Sequence, residues 1–186
     1  MTWQGKFGRI AVLALLVAAL SVVSQAQVLN AGASTITLQA VLTDSISISL
    51  SSSAVNFNLA AGSASNAGST GVTATTTWLL KPSVGSVSLY AYFSSSTAAL
   101  TDGAGDNIPS ADFQLSDNAG PLTALTTTVP FGGANAGLRV SNVKILGNNR
   151  SGSHTDQMNF NINLSTLPNL PAGTYTGTLT IQAQAI

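Results

Sequence analysis

Residues 167–186 read Leu167-Pro-Asn-Leu-Pro-Ala-Gly-Thr-Tyr-Thr-Gly-Thr-Leu-Thr-Ile-Gln-Ala-Gln-Ala-Ile186, and this stretch decides the fold class. A turn punctuated by Pro168, Pro171 and Gly173 leads into one long alternating run. Tyr175, Leu179, Ile181, Ala183 and Ala185 fall on one face, and Thr174, Thr176, Thr178, Thr180, Gln182 and Gln184 on the other. A period of two is the signature of a strand with one buried face. We expect this terminal strand to complete an antiparallel β-sandwich.

Working outward, the same period recurs. Ile36, Leu38, Ala40 and Leu42 alternate with Thr37, Gln39 and Val41, and after Thr43-Asp44 the phase restarts at Ile46, Ile48 and Leu50. Val55, Phe57 and Leu59 follow. Residues 60–71 are a loop by composition. Ala74, Thr76, Trp78 and Leu80 form the next run, closed by Pro82, and then Val87, Leu89, Ala91 and Phe93, with Tyr90 and Tyr92 on the opposite face. Phe113 and Leu115 mark a short strand, and 122–129 another. Leu138 and Val140 are out of phase with Val143 and Ile145, which predicts a bulge near Ser141-Asn142. Residues 147–153 read as a hairpin loop before Met158, Phe160, Ile162 and Leu164. No helical spacing persists after residue 26. The expectation is all-β: an immunoglobulin-like antiparallel β-sandwich of eight to ten short strands. Trp78, Phe57, Phe93, Phe160 and Tyr175 are the expected aromatic centre of its core.

The N-terminus follows a different pattern. Lys6 and Arg9 precede an apolar run from Ile10 to Val23, and Ser24-Gln25-Ala26 supplies small residues where a signal peptidase reads. This is a secretory signal, 1–26, with cleavage after Ala26. The apolar run is short for a membrane span, so no stable span is expected after cleavage. A type IV prepilin would want a glutamate after its processing site, and the chain has no Glu. Residues 27–186 then form a single domain, with 27–42 either an N-terminal extension or its first strand. Export through the Sec route, to the cell surface or beyond it, is the expected localisation. The absence of cysteine excludes a lipobox and any disulfide.

Lys81, Arg139, Lys144 and Arg150 face Asp44, Asp102, Asp106, Asp112, Asp117 and Asp156 in the processed chain. So few charges, with no basic cluster, argue against nucleic acid, whose phosphates must be neutralised. Ser and Thr richness reads as a sheet with a hydroxyl-bearing outer face.

Candidate chemistry is sparse. His154 is the one histidine, next to Ser153 and near Asp156, but a triad needs geometry and a nucleophile on a strained turn. It reads as a solvated loop residue. Asp102, Asp106 and Asn107 share a glycine-containing loop whose oxygens suit calcium, although Asp, Gly and Asn also favour turns. The spacing lacks the EF-hand order, and the loop reads as a turn. The glycine runs lack the Lys-Ser/Thr of a phosphate cradle. Tyr90 and Tyr92 would offer a sugar-stacking face if that side of the sheet were open. Asn149-Arg150-Ser151 and Asn163-Leu164-Ser165 match the glycosylation sequon, a short pattern that arises by chance. We assign no catalytic, cofactor or metal residues and expect no enzyme.

The segment Ala172-Gly-Thr-Tyr-Thr-Gly-Thr-Leu-Thr-Ile181, with the run from Asp44 to Leu59, resembles the C-terminal and N-terminal parts of bacterial fimbrial (pilin-like) and spore coat protein U-like secreted domains. That resemblance implies a secreted structural subunit of a fimbrium or other cell-surface assembly, partnered by itself or by other surface subunits. It also implies β-strand addition, in which an extension from one subunit completes the sheet of the next. Residues 27–42 stand where such an extension would, with Ile36, Leu38, Ala40 and Leu42 inserting. The disulfide and penultimate aromatic common in such subunits are missing. The alternative reading is a secreted carbohydrate- or cell-wall-binding module.

Overall fold

The structure, a computed structural model, describes residues 36–186. The expected signal peptide, its cleavage after Ala26 and most of the 27–42 segment therefore lie outside the described residues. The chain divides into two compact units, Met1–Ala40 and Val41–Ile186. Of the first unit, residues 36–40 are described; they form no strand and are exposed. Among the described residues, no helix is long and apolar enough to cross a membrane.

The second unit is an all-β, antiparallel sandwich. Eleven strands are present, slightly more than expected, because four of them are two-residue pieces. One sheet runs in the order β1 (Ser45–Leu50), β3 (Val72–Leu79), β10 (Ser151–Ile162), β7 (Phe113–Asp117), β8 (Thr123–Ala124), with β2 (Asn66–Ala67) also paired to β10. The facing sheet has β11 (Thr180–Ala185), β4 (Ser86–Tyr92) and β9 (Gly137–Lys144). A small ladder joins β5 (Leu100–Thr101) to β6 (Asn107–Ile108).

The alternation places the core. Val72, Ala74, Leu89, Ala91, Phe113, Leu115, Met158, Phe160 and Ile162 form the main apolar cluster between the sheets. Phe113 is its aromatic hub: its ring meets Phe93 at 5.1 Å, and Phe57 and Phe160 at 5.9 Å. Trp78 is not part of that centre. It sits in a second cluster with Leu80, Val87 and Ile145.

Several expected elements differ. Ile36 to Leu42 do not form a first strand, since the chain has no ladder until Ser45 and Ile36, Leu38 and Leu42 are 84%, 89% and 80% exposed. Residues 55–59 form a single bridge, Phe57 to Gly68, rather than a strand. The expected bulge falls one residue earlier: Leu89 pairs with Ser141 and Tyr90 with Arg139, leaving Val140 unopposed. The loop 147–153 is not a hairpin. It carries the chain from β9 in one sheet to β10 in the other. The crossover is held by the Asn149 side chain, which accepts from the Leu146 N–H at 2.6 Å and donates to the Lys144 carbonyl at 2.9 Å.

Candidate functional site

The two sides of the sandwich are finished differently. Beside β9 and β8, a backbone bridge from Thr127 to Gly137 ties the connecting loop down. On the other side the edge strands β1 and β11 touch but belong to different sheets. Past Leu50 the two rims part. One rim is 52–59, whose backbone is tied to residues 68–69 through the bonds of Asn56 and Phe57. The other is 173–179, tied to Thr101 through Thr176. Among the described residues, no ladder crosses between them.

The result is an open cleft of about 740 Å³ whose floor is the main core itself. Val72, Phe93, Leu100, Phe113, Met158 and Phe160 line it, with Val55, Phe57, Tyr175 and Leu179 on the rims. A sandwich normally covers such a seam with a strand, because core side chains and unpaired backbone groups both cost free energy when left to water. The partial burial of the whole terminal strand follows: Thr180–Ala185 is half-buried throughout, and β1 is largely exposed, with Ile46 at 37% and Leu50 at 44%. The Tyr175 phenol donates to the Pro171 carbonyl at 2.9 Å, fixing the turn that leads into the second rim.

The other residues singled out in the sequence fall elsewhere. His154 is not on a loop; it lies in β10, faces inward, and sits 3.2 Å from Asp156. Ser153 points to the opposite face by alternation, so the sequence neighbours do not assemble. The hydroxyl that meets Asp156 is Ser141, at 3.1 Å, and it meets the carboxylate rather than the imidazole. Among the described residues, the His154 imidazole makes no hydrogen bond to that hydroxyl. The Asp102 carboxylate accepts from the backbone N–H groups of Ala104, Gly105 and Asp106, which holds its pKa below the usual aspartate range, the Ala104 bond first. Those bonds make it the organiser of a turn. Among the described residues, no three His or Asp side chains converge as metal ligands would. Tyr90 is 6% exposed, with its ring against Phe131 at 5.9 Å, and Tyr92 donates its hydroxyl to Gln182 at 2.7 Å. A stacking platform needs an open ring face, which Tyr90 does not present.

Sequence reasoning missed the cleft because its rims, 52–59 and 173–179, carry good strand patterns; what they lack is a neighbour. Compared with known proteins, the chain matches no family model, no curated protein and no solved structure.

Proposed function

We propose that this chain is an exported, non-enzymatic structural subunit of a surface assembly, pilin-like in its logic, that polymerises by β-strand addition. The observation that carries the proposal is the cleft: among the described residues, no strand covers one seam of the sandwich, which opens onto the core. The occupant is residues 35–42 of a second copy. Their apolar positions Ile36, Leu38, Ala40 and Leu42 have the period of two that a strand entering such a cleft needs. Ile36, Leu38 and Leu42 are exposed rather than used within their own chain. An added strand would gain backbone hydrogen bonds along the rims and bury alternate side chains against Phe113 and Phe160.

The test compares residues 27–186 with residues 44–186 by size-exclusion chromatography and negative-stain microscopy. Fibres or ladders from the longer form alone are the expected result. A stable monomer from the longer form and a misfolded shorter one would overturn the proposal, because residues 35–42 would then complete their own sandwich.

A further inference from the structure

The inner face of the larger sheet changes character partway along. On β3 the inward series runs Val72, Ala74, Thr76, Trp78; on β10 it runs Phe160, Met158, Asp156, His154. Ser141 of β9 and Asp117 of β7 complete a polar layer that separates the main apolar cluster from the one around Trp78.

Asp156 is wholly buried. Its Oδ2 accepts from Ser141, across the two sheets. Its Oδ1 has no donor: the His154 Nε2 approaches at 3.2 Å but off the hydrogen-bond direction. Asp117 lies on the neighbouring strand, where its partner across the ladder is Met158. Its Oδ2 accepts from the Asn118 amide at 3.1 Å, and its Oδ1 is also buried without a donor. Asp117 stands opposite Met158, and Asp156 is the next inward residue along β10, so the two carboxylates are diagonal neighbours on one inner face. Two carboxylate oxygens shut off from water cannot face each other as anions, because like charges in a low-dielectric interior repel and neither has a hydrogen to give. One proton between them repairs both faults, making one oxygen a donor and the other its acceptor.

We propose that Asp117 and Asp156 hold one proton between them, and that this proton is a pH-sensitive clasp joining β7 to β10 inside the sandwich, opened as pH rises. The groups facing the pair agree with this. β3 contributes the hydroxyl of Thr76, β9 the hydroxyl of Ser141, and β10 the imidazole of His154. Arg139 and Lys144 occupy exposed positions on β9, and Arg150 makes no ion pair with either carboxylate. Among the described residues, His154 is the cation-forming group that meets the pair. Burial, then the Asp156 charge, push the Asp117 pKa above the ordinary aspartate value. A carboxyl whose pKa is raised on folding binds its proton more readily in the folded chain. Its contribution is complete below the unfolded value of 3.8 and is lost as pH rises through the folded value. Loss of the proton to solvent leaves two adjacent buried anions and loosens β7 from β10.

The test is thermal melting of the full chain and of its Asp117→Asn variant from pH 3.8, the unfolded value, up to about pH 8. The unaltered chain should melt about 3 °C higher at the acid end, and the variant should lose that difference because its amide donates at every pH. Carboxyl carbon NMR on the unaltered chain gives the same answer without a substitution: the Asp117 carboxyl should titrate above the ordinary aspartate value. Asp117 titrating at the ordinary aspartate value, or an equal pH dependence in the variant, would overturn the clasp. So would stabilisation at neutral pH by calcium, reversed by a chelator and absent from Asp117→Asn, because the pair would then hold a cation.

Discussion

The indole N–H of Trp78 donates to the backbone carbonyl of Asn149 at 2.9 Å, tying the end of β3 to the loop that crosses between the sheets. The loop depends on few such ties. The Arg150 carbonyl accepts from the Leu80 N–H at 2.8 Å, so two consecutive carbonyls of the crossover are satisfied by the same strand end. Trp78→Phe keeps most of the buried ring and removes the donor. It should cost about 1 kcal/mol, the net worth of one such bond. Trp78→Ala should cost about 3–5 kcal/mol by emptying the smaller cluster. Chemical unfolding at unchanged m-value checks both.

Gly177 lies on the second rim of the cleft. A Cβ there would fall on the Ala99 carbonyl oxygen, which is backbone and cannot swing away. Gly177→Ala should therefore displace the rim from Thr101 and destabilise the sandwich by about 2 kcal/mol. The Thr176 amide, bonded to the Thr101 carbonyl at 2.9 Å, should lose its exchange protection first. Unchanged protection at Thr176 would show that the rim is not held by this approach.

Leu38 is 89% exposed, so its replacement is nearly free for the fold of its own chain. Leu38→Lys should leave the melting temperature within about 1 °C, as surface changes generally do. The same substitution should abolish the fibres proposed above, since a lysine cannot enter the cleft floor beside Phe113. Fibres that persist in the variant would remove residues 35–42 as the inserted strand.

The Asp102 turn carries an acid dependence of opposite sign to the clasp. Its pKa is depressed, mainly by the Ala104 N–H bond, so the contribution of this carboxylate is present above the unfolded value of 3.8 and lost as pH falls through the folded value. The amide nitrogen shift of Ala104 should move at that lower pH, and Asp102→Asn should abolish the movement. A shift that tracks the ordinary aspartate range instead would show that the turn does not hold the carboxylate.

The alternation in 72–79, 86–92, 113–117, 151–162 and 180–185 was enough to read strands and a sandwich, because each of these segments has one face in the core and a paired neighbour. The same pattern in 36–42 and 55–59 gave no strand, because period is a property of a segment and pairing is a property of two. The crossover at 147–153 looked like a hairpin for the same reason: turn composition reports a reversal and not which sheet the chain enters. His154 and Asp156 were visible as neighbours, but Asp117 and Ser141, which complete their layer, come from strands whose register no local signal fixes.

The polar layer also partitions cohesion. Four buried side chains, Trp78, Leu80, Val87 and Ile145, hold one end of the sandwich, while the remaining core holds the other. Apolar contact that is interrupted by hydroxyls and carboxylates does not transmit cooperativity as a continuous hydrocarbon interior does. Amide exchange should therefore find less protection at the end bearing the inter-sheet crossover than around Leu115, Phe160 and Ile162, the small end acting as a compliant cap on a stiffer body.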